Sequence, residues 1–210
     1  MLDYYAVGEL FETEDRQIQS SAREYLEAEV KPCASLWWEE GEFPRELVPT
    51  FGEMGFLGAN LSRDYGCAGV GNVPYGLIMY ELERIDSGFR SFASVQGALV
   101  MYPISRYGSE EQKRTFLPEM AAGNTVGCFG LTEHDGGSDP GAMKTRARKS
   151  GETYVLNGTK MWITNGNIAD VALIWAKDDD DAVRGFLVPT ESAGFRANKI
   201  ERKMSMRASV

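Results

Sequence analysis

The 210-residue chain predicts an α+β fold: an all-α helical domain over residues 1–125, then an antiparallel, barrel- or sandwich-like β-domain over 126–210. Three observations predict it. Apolar residues recur at helical spacing from Ile18 to Met120. After Asn124 that pattern gives way to short apolar or β-branched runs, and Asn157-Gly158, a two-residue hairpin signal, sits between two of them. Helices first and strands second argues against alternating β/α units.

The elements follow in order. Thr13 is the expected cap of a first helix, with Glu14 and Asp15 in its first turn, where carboxylates favour the helix dipole. Ile18, Ala22, Tyr25, Leu26 and Val30 line one face until Pro32, the expected stop. Pro44 opens a short second helix carrying Leu47, Val48, Phe51 and Met54, closed by Gly55. A third spans 72–84 around Tyr75, Ile78, Met79 and Leu82, and a fourth spans 89–107 with a kink expected at Pro103. Ser109 and Gln112 form a capping box for a helix bearing Phe116, Leu117 and Met120, ending at Gly123. Strands are expected at 126–131, 144–149, 154–156, 159–164, 171–176 and 184–188. The fourth of these is the return arm of the Asn157-Gly158 hairpin. The acidic run 178–181 reads as a solvated turn.

Composition narrows the function classes. Hydrophobic content of 43% with 25% charged residues is ordinary for a globular protein. A net charge of −9 and no basic run argue against nucleic acid. No stretch approaches the ~20 apolar residues that cross a bilayer. The N-terminus has neither the basic start and apolar centre of a secretory signal nor the Arg/Ser-rich character of a transit peptide. Cys33, Cys67 and Cys128 are widely spaced with no histidine partners, and read as free thiols of a reducing compartment. A cytoplasmic protein is expected.

The densest chemical signal lies at 130–142, Gly-Leu-Thr-Glu-His-Asp-Gly-Gly-Ser-Asp-Pro-Gly-Ala. Glycines remove the side-chain barrier to a closely approaching cofactor, and hydroxyls with freed backbone N–H groups supply donors. A second segment, Lys160-Met161-Trp162-Ile163-Thr164-Asn165, places a flat indole beside a hydroxyl, which suits an isoalloxazine ring. Together, at this separation, the two resemble the flavin-binding signature of the acyl-CoA dehydrogenase family. The resemblance implies FAD as cofactor, with Phe129, Leu131, Thr132, Ser138, Trp162, Ile163 and Thr164 as its contacts and Ser138 also touching substrate. His134, the only histidine, stands where many members of the family carry proline, and reads as a loop residue rather than an acid or base.

A third constellation, 81–91, joins the third and fourth helices. An arginine with an adjacent hydroxyl at a helix N-terminus is well built to grip a carboxylate. With 64–70 before it and 94–96 after it, this segment resembles the glutaryl-CoA dehydrogenase branch. There the residues matching Arg90 and Ser91 would hold the distal carboxylate of the acyl chain, with Glu83 beside the arginine. The resemblance runs from the first helix to the Arg207-Ala208-Ser209 stretch. It implies oxidation of an acyl-CoA thioester, here glutaryl-CoA to crotonyl-CoA with decarboxylation. Electrons would pass to an electron-transfer flavoprotein, and the family assembly is a homotetramer. The alternatives are a short- or branched-chain acyl-CoA dehydrogenase, or an inert fragment or interaction module.

The family's catalytic glutamate lies in a C-terminal helical domain for which these 210 residues hold no counterpart, so none of Glu81, Glu83 or Glu133 is assigned as base. The middle domain is expected to be incomplete, with an open sheet edge and an uncovered apolar helix face. The isolated chain is expected to be inactive.

Overall fold

The structure is a computed structural model and describes residues 4–209. Helix α1 spans Thr13–Tyr25, and its cap is Glu12 rather than Thr13. The Glu12 side chain and Asp15 close a reciprocal box that satisfies two backbone donors. Pro32 does not end the helix. A π segment, Leu26–Val30, follows α1, and the chain continues as α2, Lys31–Glu40, to Gly41 at φ 66°. Proline breaks a helix because it lacks a donor and crowds the carbonyl four residues back. Here the widened turn shifts the register just before Pro32, which then sits in the opening turn of α2.

Helix α3, Val48–Glu53, follows a 3₁₀ turn, Arg45–Leu47, and stops before Gly55 at φ 70°. Helix α4 spans Asn72–Ile85. The expected fourth helix is three pieces: α5, Ser87–Ser94, a π segment, Val95–Met101, and α6, Tyr102–Tyr107. The widened turn again precedes a proline, so the accommodation expected as a kink at Pro103 is a π segment instead. Helix α7, Glu110–Ala121, opens on the expected Ser109/Gln112 box and is followed by Gly123 at φ 79°.

The strands are β1 (Gly127–Gly130), β2 (Arg146–Ser150), β3 (Thr153–Asn157), β4 (Val171–Lys177) and β5 (Val183–Pro189). Helices followed by strands is the expected order, yet the pairing is mixed rather than wholly antiparallel. Strands β2 and β3 pair antiparallel, as do β4 and β5. Strand β4 also takes β1 in parallel along its first half and meets β2 in parallel at Arg146–Lys177. A parallel pair needs a long crossover, and the connection 131–170 supplies it. The sheet is not closed.

The hairpin expected at Asn157-Gly158 is not formed, and 159–164 is irregular rather than a strand. Asn157 is the last residue of β3, paired with Arg146. A Cβ on Gly158 would lie 2.2 Å from Thr145 Oγ1, so the glycine serves a close crossing. The actual β2–β3 turn is Gly151-Glu152, with Gly151 at φ 63°.

Two apolar clusters join helices and sheet, and the buried aromatic residues crowd into the larger. Phe43 stacks on Phe92 at 4.1 Å, Phe51 and Phe89 pack edge-on beside them, and Val126, Cys128 and Ala172 of the strand region belong to the same cluster. Burial pushes the thiols of Cys67 and Cys128 up, to about 11 and about 12, so neither is a ready nucleophile. The third cysteine, Cys33, is exposed. Buried Gln96, in the second π segment, donates to Met120 O at 3.2 Å and Thr125 O at 2.7 Å and accepts from Gly127 N–H at 2.7 Å. It thereby fixes α7 and β1 to one helix. No helix among the described residues is long and apolar enough to cross a membrane.

Candidate functional site

Strand β1 delivers the chain into the glycine-rich loop. Phe129 is half-buried against Trp175 of β4, with ring centroids 6.1 Å apart. After Gly130 the loop makes a tight bridge in which Glu133 and Gly136 exchange backbone hydrogen bonds, leaving His134 and Asp135 at the tip. His134 is exposed, its Nδ1 3.7 Å from Asp135, and Asp135 pairs with Lys144. That is a surface histidine on a turn, in keeping with a loop role. Ser138 lies further along, exposed.

The second segment docks on the first. Met161 N–H donates to Thr132 O at 2.8 Å, and Lys160 Nζ donates to Leu131 O at 3.0 Å. On the far side, Asn165 is buried at φ 67° and its Nδ2 donates to Gly127 O at 3.2 Å. Between these anchors Trp162 has φ 60° and is 73% exposed. A bulky residue in the left-handed region costs roughly 1–3 kcal/mol and persists only where its surroundings impose it. Ile163 and Thr164 beside it are half-buried. Leu131, Thr132, Trp162, Ile163 and Thr164 therefore share one neighbourhood.

Glu133 is the buried centre of that neighbourhood and carried no role in the sequence reading beyond its place in the motif. Its carboxylate accepts from Lys144 N–H at 2.6 Å, Thr145 N–H at 3.0 Å, the Thr145 hydroxyl and Lys160 Nζ at 2.7 Å. Burial alone would raise its pKa. The Lys160 ammonium, the Thr145 hydroxyl and the two backbone donors outweigh that and bring it down to about 2. Such a carboxylate stays ionised and is no proton acceptor near neutrality. Nothing in the sequence marks Lys160, Thr145 and Glu133 as partners, because they meet only once the loop folds.

The third constellation sits where α4 meets α5. Asp86 caps α5 through Gly88 N–H at 2.7 Å. Glu83 accepts from the Ser87 hydroxyl at 2.6 Å and from Arg90 Nε at 2.8 Å. Both donors hold the Glu83 carboxyl below its ordinary range. Arg90 is half-buried and Ser91 is buried. The structure thus brings Glu83 and Arg90 together. Among the described residues no hydrogen bond or ion pair joins Arg90 or Ser91 to Ser138 or to 160–165. The link is indirect, through Gln96 on the same helical run to β1.

Residues 12–124 match the acyl-CoA dehydrogenase N-terminal domain, and residues 128–209 match the acyl-CoA dehydrogenase middle domain. The chain belongs to the acyl-CoA dehydrogenase family. Members of this family are oxidoreductases, and several relatives are close. A glutaryl-CoA dehydrogenase from Mycobacterium smegmatis, in complex with FADH2, superimposes with a TM-score of 0.95 at 54% identity. That match covers 99% of this chain and 53% of that one. A short-chain specific acyl-CoA dehydrogenase from Clostridium acetobutylicum is 36% identical over 93% of this chain and 53% of its own length. Butyryl-CoA dehydrogenase from Megasphaera elsdenii matches with a TM-score of 0.88 at 30% identity, over 95% of this chain and 54% of that one. This acyl-CoA dehydrogenase chain spans about half the length of the curated relatives it matches.

Proposed function

We propose that this chain forms the FAD-facing and acyl-tail-facing part of an acyl-CoA dehydrogenase whose substrate carries a distal carboxylate, glutaryl-CoA being the best candidate. The observation that carries the substrate assignment is Arg90. It is half-buried beside buried Ser91, and Glu83 engages it through Nε, leaving both Nη groups without a hydrogen-bond partner among the described residues. Guanidinium Nη groups present a planar fork that fits a carboxylate, whereas a simple alkyl tail offers nothing for it to bind. Identity of 54% to a glutaryl-CoA dehydrogenase, against 36% and 30% to the short-chain and butyryl enzymes, supports the same choice.

The flavin assignment rests on chemistry visible at the loop pair. An exposed indole held in a strained conformation supplies a flat apolar cover. Thr164 lies two residues on in the chain, and Thr132 is tied by its carbonyl to Met161 N–H next to the indole. FAD, when bound, supplies a two-electron acceptor for the β-hydrogen of the thioester. The chain's own residues bind and orient. Trp162, Ile163 and Phe129 would give the ring apolar cover, Thr132 and Thr164 would donate hydrogen bonds to it, and Ser138 would meet the thioester end. Arg90 sets how far the acyl chain enters. Glu133, locked as an anion, takes no part in proton transfer. The electron-transfer flavoprotein is the proposed acceptor, and a tetramer the proposed assembly.

The test is spectroscopic. The chain is incubated with FAD, desalted, and titrated with glutaryl-CoA and with butyryl-CoA while the flavin's visible band is followed. We expect retained flavin and at least about tenfold tighter binding of glutaryl-CoA, a preference that Arg90→Met erases. Equal affinities for the two thioesters would instead support the short-chain reading. A colourless protein after desalting would overturn the flavin assignment for this chain.

A further inference from the structure

Four donors from two separate stretches of chain converge on the Glu133 carboxylate: Lys144 N–H, Thr145 N–H, the Thr145 hydroxyl and Lys160 Nζ. Both charged side chains are 8% exposed. Taking a carboxylate and an ammonium out of water is costly unless each finds further partners, and here both do. Lys160 donates a second hydrogen bond, to Leu131 O at 3.0 Å. The surrounding backbone is cut to fit. A Cβ on Gly130 would lie 3.3 Å from the Lys160 stem and 2.5 Å from Ile174, and one on Gly158 would strike the Thr145 side chain. The two glycines therefore leave room for the packed side chains around the pair, most tightly at Gly158 against Thr145.

We propose that Glu133 is a positioning residue for the flavin site: through Lys160 it sets the separation between the Leu131–Thr132 edge and the Trp162 face. The inference deepens the flavin reading given above and rests on it. The geometry explains why Trp162 tolerates a left-handed backbone. Lys160 and Met161 are tied to Leu131 and Thr132 on one side, and Asn165 is tied to Gly127 on the other. The three residues between have no freedom to relax. Releasing the Lys160 end lets Trp162 return to an ordinary conformation and carries the indole away from Thr132. Lys144 and Thr145 are held to the same carboxylate, so one side chain orders both walls and the base of the loop.

The test needs no turnover. Hydrogen exchange on the purified chain, read by peptide, compares wild type with Glu133→Gln and Lys160→Met. Glu133→Gln is expected to speed exchange about tenfold or more in 131–136, 143–145 and 159–165 together, with 171–177 in β4 unchanged. Lys160→Met is expected to release 131–136 and 159–165 while 143–145 stay protected by Glu133. Unchanged protection at 159–165 in both variants would overturn the proposal, as would loss spread evenly over β4 and the helices. If Glu133→Gln does not fold, Lys160→Met decides alone. FAD retention separates this inference from the reading beneath it. Wild type holding FAD about tenfold more tightly than Lys160→Met, with both measured well below their unfolding midpoints, is the expected result. Equal retention overturns the positioning role. Wild type holding no FAD overturns the flavin assignment, and exchange still decides whether Glu133 sets the loop.

Discussion

Arg45 and Asp170 form a two-pronged ion pair, with Arg45 Nη2 2.7 Å from each Asp170 oxygen. The same arginine donates to Ile168 O at 2.7 Å, and Asp170 also accepts from Val126 N–H at 2.8 Å. This joins the 3₁₀ turn before α3 to the starts of β1 and β4. Both side chains are about half exposed, so solvent screens the charge term and the geometry carries the effect. Arg45→Met is expected to lower unfolding stability by about 1 kcal/mol, and less in high salt. Asp170→Ala is expected to cost about 2 kcal/mol, because it also strands the Val126 donor. Urea midpoints at unchanged slope measure both.

Gln96 is fully buried and bonded to three backbone groups that belong to α7, β1 and the loop between them. Leucine fills a similar volume but takes away the partner of Thr125 O and Gly127 N–H, while Met120 O keeps the Gly123 N–H. Gln96→Leu is therefore expected to cost about 3 kcal/mol or more, although hydrophobicity rises at a buried position. A midpoint equal to or above wild type would show that water replaces the side chain.

Gly123 and Gly151 both hold positive φ, at 79° and 63°, in unlike surroundings. A Cβ on Gly123 would sit 2.4 Å from Val48 O, whereas one on Gly151 meets nothing within 4 Å. Gly151→Ala is expected to cost only the conformational penalty, about 1 kcal/mol. Gly123→Ala adds a backbone clash between the end of α7 and the start of α3, for about 3 kcal/mol in all. Thermal midpoints of the two variants separate the terms directly.

The sequence carried the helices where local signals agreed with tertiary packing. The Ser109/Gln112 box and the Gly123 stop are where the capping rules place them, and α4 lies within a residue of its expected span. It misled where a local rule met a tertiary accommodation. Pro32 and Pro103 both read as interruptions, but a π segment before each lets the helix pass, and nothing in the side-chain pattern announces a changed register. Asn157-Gly158 reads as a turn, yet Gly158 is there for Thr145, a contact thirteen positions back in the chain. At the candidate site, the two loop segments were legible as motifs because their residue types are unusual and their order is fixed. The Glu133–Lys160 pair was not, since a charged residue looks exposed until the donors around it are known.

Glu133 also gives the protein an acid-sensitive element with a definite sign. Its carboxyl is lowered from near 4.5 to about 2 in the folded chain, so the unfolded state binds the proton more readily. The stabilisation is fully present above about 4.5. It falls away as the pH drops from 4.5 towards 2 and is lost below the folded value. A shift of that size corresponds to about 3 kcal/mol. Glu133→Gln should remove this part of the pH dependence and leave the smaller share set by Glu81, whose buried carboxyl the Arg23 and Arg84 guanidiniums also hold low against the opposing effect of burial. Urea unfolding at intervals from pH 7 to about pH 3 measures the slope. A wild-type curve parallel to that of the variant across this window would mean that Glu133 is as easily protonated folded as unfolded. The four donors around it would then do no more than offset the cost of burying the charge.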